Sequence, residues 1–288
     1  MDIQNRIDYS AIVDRKPLKL PDDGRVIVWT IVNIEEWLPT EPLPRRILTP
    51  PGNSVHVPDI PNWCWFEYGM RIGIWRIMDV LAKYNVTPTV SMNATVVDTY
   101  KRVAEAARDA NWEFMGHSYI QKPMYQLDDE AGDIQRTMDK LSEFCGYKTR
   151  GWMGPGLTQT EKTPELLVEA GYEYTADWIL DDQPCPVNTA KGPLYSIPYT
   201  TELNDIPIML LQNHRSNMLY ERTMEHFETL YEEGKDNVRI MAVAVHPYIH
   251  GVPHRIGYFR RIYEELSQKP GVVFMTGAEI LDWYLAQQ

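Results

Sequence analysis

A chain of 288 residues that is 44% hydrophobic and 24% charged has ordinary globular composition and enough apolar mass for one large core. Its formal net charge of −12 argues against a nucleic-acid partner: Arg45-Arg46 and Arg260-Arg261 are isolated pairs that read as solvated faces, not a phosphate-binding surface. No apolar run approaches the roughly 18 residues of a membrane span, no apolar stretch follows a basic start at the N-terminus, and Cys64, Cys145 and Cys185 form no C-x-x-C pair, so a cytoplasmic chain with reduced thiols is expected.

Arg25–Val32 is a continuous apolar, β-branched run of the kind buried in a parallel sheet, and it ends at the polar cluster Asn33-Ile34-Glu35-Glu36. Residues 37–66 are rich in proline and read as an irregular functional loop, with Trp63, Trp65 and Phe66 near its end. Gly69–Tyr84 has helical apolar spacing at Ile74, Ile77, Met78 and Leu81. Thr87–Met92 predicts a strand, Val96–Ala110 a helix, and Trp112–Met115 a strand ending at Gly116, His117 and Ser118. A helix over Asp128–Cys145 closes at Gly146, and Arg150–Met153 predicts a strand end. Thr163–Ala170 predicts a short helix with Pro164 in its first turn. Tyr174–Trp178, the Leu194–Pro198 strand and the apolar Pro207–Leu211 follow. The remainder reads as helix Met218–Gly234, strand Arg239–Val245 stopped by His246-Pro247, helix Ile256–Gln268, strand Gly271–Met275 and helix Gly277–Ala286. This alternation predicts βαβ units in a single parallel α/β domain over 1–288, without repeats.

Glu35, Glu36, His117, Arg150, Asp177 and His246 fall at successive predicted strand ends. In parallel α/β barrels the loops that follow the strands converge on the active site, so the set predicts one polar cluster. Each alone has a plain reading, a hydrogen-bonded loop histidine or a solvated glutamate; six at successive strand ends point to a site. Trp63, Trp65, Trp152 and Trp178 could wall a pocket, although most tryptophans are core residues. His214 and His250 read as structural.

The ordered strings Asn33-Ile-Glu-Glu, Gly116-His117-Ser-Tyr-Ile-Gln121, Arg150-Gly-Trp-Met-Gly-Pro155-Gly156, Asp177-Trp178 and His246-Pro247 resemble the five motifs of polysaccharide deacetylases over about residues 25–285. The resemblance implies a distorted (β/α)7 barrel and hydrolysis of a non-peptide C–N bond. It also implies a metal held by the second acidic residue of the first motif and two histidines of the second. Here Glu35-Glu36 replace two aspartates and Gln121 replaces the second histidine, leaving Glu36 and His117 as metal candidates. Two protein ligands seldom hold a catalytic zinc, so either no metal or a weakly held divalent ion such as zinc is expected.

The same departures, with Ile197-Pro-Tyr-Thr-Thr-Glu-Leu-Asn-Asp205, resemble the metal-independent allantoinase branch, whereas His246-Pro247 keeps the deacetylase pattern. The implied reaction is hydrolysis of a small cyclic amide, imide or ureide. In it Glu35 is the base, His246 the acid, and Arg150 and His117 supporting catalytic groups. Asn33, Gln121, Trp63, Trp152, Pro155, Asp177 and Trp178 would contact substrate. The alternatives are a metal-dependent carbohydrate N-deacetylase and a catalytically inactive small-ligand-binding protein. A homo-oligomer built on the proline-rich segment is a further expectation.

Overall fold

A computed structural model describes residues 3–53 and 57–288. Its strands are β1 (Val26–Ile34), β2 (Thr89–Met92), β3 (Glu113–Gly116), β4 (Gly151–Trp152), β5 (Tyr174–Thr175), β6 (Cys185–Val187), β7 (Leu194–Ser196), β8 (Arg239–Val245) and β9 (Val272–Phe274). Among the described residues they form one sheet ordered β6-β7-β5-β4-β3-β2-β1-β8, with β9 also pairing with β1. The β6–β7 pair is antiparallel, whereas β1, β2, β3, β4, β5, β7 and β8 all run parallel. This is the distorted (β/α)7 barrel implied by the motifs. On its other edge β8 meets loop backbone: Ile240 N–H donates to the Asp182 carbonyl and Ala244 N–H to that of Leu203.

The side-chain period of two divides each long strand between two cores. Ile27, Trp29 and Ile31 of β1 join Ile240, Ala242 and Ala244 of β8, with Met115, Met153 and Tyr174, inside the barrel. Val26, Val28, Val32 and Ile34 face the other way with Met241, Val243 and Val245, against the surrounding helices. Every residue of β1 is buried, which is why the run reads as continuously apolar.

The helix Gly277–Leu285 closes the barrel at the strands' N-terminal end. It starts with a Thr276/Glu279 capping box and contributes Ile280, Leu281 and Tyr284 to the inner core.

Several elements differ from expectation. Within the proline-rich segment, a helix already begins at Ile60: Asp59 caps it by accepting Asn62 N–H, and Pro61 occupies the first turn. The closely spaced Trp63, Trp65 and Phe66 hide its period in the sequence. A π-helical turn, Gly69–Gly73, joins this helix to Ile74–Lys83. Its glycines permit contact with the chain after β8: a Cβ at Gly73 would stand 2.1 Å from the Pro247 carbonyl oxygen, and one at Gly69 2.5 Å from Tyr248 N. The predicted helix Val96–Ala110 breaks at Tyr100, and Pro207–Leu211 is a π-helical turn.

Candidate active site

The inward alternation of three strands carries past their ends. On β1 it passes from Ile31 through Asn33 to Glu35, on β3 from Met115 to His117, and on β8 from Ala244 to His246. The result is a compact triad. Glu35 Oε1 lies 3.6 Å from His117 Nε2 and 3.5 Å from His246 Nε2. The three side chains retain 7%, 2% and 3% exposure, respectively, so water reaches them only sparingly.

Each member is oriented from behind. His117 Nδ1 lies 2.6 Å from the Met153 carbonyl oxygen, which only accepts, so Nδ1 carries the proton and Nε2 faces Glu35. His246 Nδ1 lies 2.6 Å from Asp205 Oδ1, and the His246 backbone N–H donates to Asp205 Oδ2 at 2.8 Å. Trp37 Nε1 donates to Glu35 Oε2 at 3.1 Å, and Trp63 Nε1 donates to the Trp37 carbonyl at 2.9 Å. Phe66 packs 5.2 Å from Trp37 and 4.6 Å from Tyr248, whose ring is 5.7 Å from that of His246. An aromatic wall therefore stands beside the triad.

The electrostatics follow from this geometry. Burial pushes Glu35 up, but the charge of His246 and the contacts with both histidines outweigh it and hold the carboxyl well below its usual range. Burial opposes the His246 imidazolium, but Asp205 and Glu35 raise its pKa to about 9. At neutral pH the pair is thus carboxylate and imidazolium. Burial pushes Asp177 up to about 7, even though Gly154 N–H donates to its Oδ1 at 2.8 Å.

Asn93, one residue past β2, ties the second motif to the first. Its Oδ1 accepts Glu36 N–H at 2.9 Å, and its Nδ2 donates to the His117 carbonyl at 2.5 Å and to Gln121 Oε1 at 2.8 Å. Gln121 therefore serves as an acceptor for Asn93 at the position where the deacetylase motif has a histidine. Glu36 has the opposite strand parity from Glu35, so the carboxylate that meets His117 is Glu35 and not its expected metal partner.

Glu36 Oε2 and His117 Nε2 are buried without hydrogen-bond partners among the described residues, as atoms awaiting a cation would be. Yet no group of three or more His, Cys, Asp or Glu side chains suited to a metal converges among those residues. The donor set does not fit the three-ligand catalytic zinc site that the motif implies.

Arg150 is a correction. It precedes β4, at the barrel end away from the triad, and pairs with Glu173 at 2.9 Å and with Asp282 of the closing helix at 2.7 and 3.0 Å. Its role there is structural. Trp152 is a second correction: it is fully buried with the outward parity of β4 and packs edge-on against Tyr172 at 5.3 Å in the outer cluster, apart from the inner core that carries the triad. Pro155 is buried in the turn after β4, and Trp178 is half-buried against the same outer cluster as Trp152. Asn33 donates to the Val245 carbonyl at 3.4 Å, joining β1 to β8 beside the triad. Trp63 acts one residue removed, through Trp37. Asp205, Asn93, Trp37 and Tyr248 were assigned no role from sequence. Asn93 follows a predicted strand and was open to the strand-end rule, whereas Asp205 reaches His246 from a loop 41 residues away.

Comparison with known proteins agrees with this architecture. Residues 58–175 match the family described as Polysaccharide deacetylase. A Schizosaccharomyces pombe protein named "Putative polysaccharide deacetylase" is 25% identical over 77% of this chain and 75% of its own length. A Helicobacter pylori peptidoglycan deacetylase is 20% identical over 75% of this chain and 84% of its own. Among solved structures, that of Puue allantoinase superposes with a TM-score of 0.85, covering 98% of this chain and 99% of that one at 22% identity.

Proposed function

We propose that this chain, which belongs to the polysaccharide deacetylase family of amide C–N hydrolases, opens a small cyclic amide, imide or ureide by acid–base catalysis. The observation that carries this reading is burial: base and acid retain 7% and 3% exposure beside an aromatic wall, which suits a small planar ring better than a polymer.

The roles follow from the protonation states. Glu35 takes a proton from water as its oxygen attacks the carbonyl carbon. His246 gives its Nε2 proton to the departing nitrogen as the C–N bond breaks, leaving a carboxyl group and an N–H on the opened product. His117, with Nδ1 turned to the Met153 carbonyl, directs Nε2 toward Glu35 and can hydrogen-bond the attacking water there. Asp177, whose Oδ2 is buried without a partner among the described residues and whose pKa lies near 7, can give or accept a hydrogen bond to the substrate amide. A site without a Lewis acid forgoes several kcal/mol of transition-state stabilisation, and ring strain or an activated C–N bond offsets that loss.

A second reading, a metal-dependent carbohydrate N-deacetylase, is favoured by the unpartnered Glu36 Oε2 and His117 Nε2. One experiment separates the two: hydrolysis of allantoin, hydantoins, cyclic imides, chito-oligomers and acetylated amines by chelator-stripped protein, with and without added Zn²⁺. Ring opening that survives chelation and is lost in Glu35→Gln is expected. Turnover confined to acetylated sugars, and only with metal, would overturn the proposal.

A further inference from the structure

We infer that His250 is a positioning residue, a neutral hydrogen-bond donor that holds Asp205 ionised and so localises the catalytic proton on His246. This rests on the role proposed for His246. Asp205 is fully buried and is shared by two imidazoles: Oδ1 lies 2.6 Å from His246 Nδ1, and Oδ2 lies 2.8 Å from His250 Nδ1. The sequence cause is local. Pro247–His250 is one helical turn in which His250 N–H donates to the His246 carbonyl at 3.0 Å, so the two histidines stand four apart on one face.

The two imidazoles are not equivalent. The Nε2 of His246 faces Glu35 Oε1 at 3.5 Å, so a proton there meets a second anion. The Nε2 of His250 is buried without a hydrogen-bond partner among the described residues, and the ring of Phe259 lies 6.5 Å from its own. Protonating His250 would bury an N–H with no acceptor, at a cost that His246 escapes. The surrounding charges act in the same direction. His250 faces Asp205 and His254, with Arg255 also near Asp205, whereas His246 faces Asp205, Glu35 and the Tyr248 ring. His250 therefore stays neutral with its hydrogen on Nδ1, and together with the His246 backbone N–H it satisfies Oδ2, leaving Oδ1 for the His246 ring.

Histidine-selective ¹⁵N NMR tests this without turnover, so its failure is distinguishable from failure of the proposed reaction. The chain has seven histidines, and single substitutions assign their signals. In the unsubstituted protein, His250 is expected neutral and Nδ1-protonated while His246 is an imidazolium. Removing the donor in His250→Leu leaves Asp205 more strongly attractive to a proton, so the His246 midpoint should rise by about one pH unit, the scale of one hydrogen bond. His250→Asn can place an amide N–H where Nδ1 stands and should return the midpoint to its original value. A charged or Nε2-protonated His250 at neutral pH overturns the inference, as does an unmoved midpoint in folded His250→Leu. Should that variant not fold, the tautomer in the unsubstituted protein and the His250→Asn midpoint decide it.

Discussion

The barrel buries a glutamate at each end, and the two are held in opposite ways. At the floor, Glu113 Oε1 accepts from the Tyr174 hydroxyl at 2.8 Å and from Ala278 N–H at 3.0 Å, and Oε2 accepts from Thr89 Oγ1 at 2.6 Å. All these donors are neutral, so burial dominates and the carboxyl's pKa is raised. At the mouth, Glu35 is just as enclosed but faces the charged His246, and its pKa is lowered. Neutral hydrogen bonds solve a structural problem, satisfying a buried group while tying helix to strand. At the mouth it is the charge of the neighbouring His246 that keeps the buried Glu35 carboxylate ionised and able to take a proton.

The largest expected effect breaks the mouth. Glu35→Gln keeps the shape and removes the base, so turnover per folded molecule should fall by about 10²–10⁴-fold, with a lowered melting temperature because the His246 imidazolium loses a buried counter-charge. Assays on the ring substrate and calorimetry check both. Asp205→Asn comes next. It removes an anion that supports the imidazolium, so the high-pH limb of kcat/KM, expected near pH 9 in the unsubstituted protein, should move toward neutrality. The same linkage bears on stability. Because the folded pKa of His246 lies above its unfolded value near 6.5, its contribution is fully present below about pH 6.5 and is lost as pH rises through about 9. Denaturant titrations across that window should show the slope flattened in Asp205→Asn.

The floor should respond in the opposite sense. Glu113→Gln turns one of the two accepting oxygens into an amide NH₂ that meets the Thr89 hydroxyl, so it should cost about 1–3 kcal/mol of stability, read by denaturant unfolding, while kcat per folded molecule stays unchanged. The smallest effect belongs to Arg150→Met. Its ion pairs are partly exposed, and the expected loss is about 0–1 kcal/mol with an unchanged pH profile. A large loss of turnover in that variant would return Arg150 to the active site.

Much of this contrast was legible in the chain. The β1 and β8 runs, the helices with clear apolar spacing and the polar residues at strand ends are local signals, and they located Glu35, His117 and His246. Arg150 was misplaced because β4 is only two residues long, so a residue thought to follow the strand in fact precedes it. Trp152 was misplaced for a related reason, since the side it takes depends on where β4 is registered against β3. Glu35 and Glu36 look interchangeable as neighbours and become distinct only through strand parity.

By itself the sequence determined the alternating architecture and an acid–base set at the strand ends, because hydrophobic period and motif order are properties of neighbouring residues. Tertiary structure alone decided which glutamate meets the histidines and which aspartate holds His246. It also turned Gln121 toward Asn93 and moved Arg150 to the floor. Those outcomes depend on side chains from distant segments meeting in a dry interior, where a shift of one residue exchanges inside for outside and a single charge reverses the direction of a pKa.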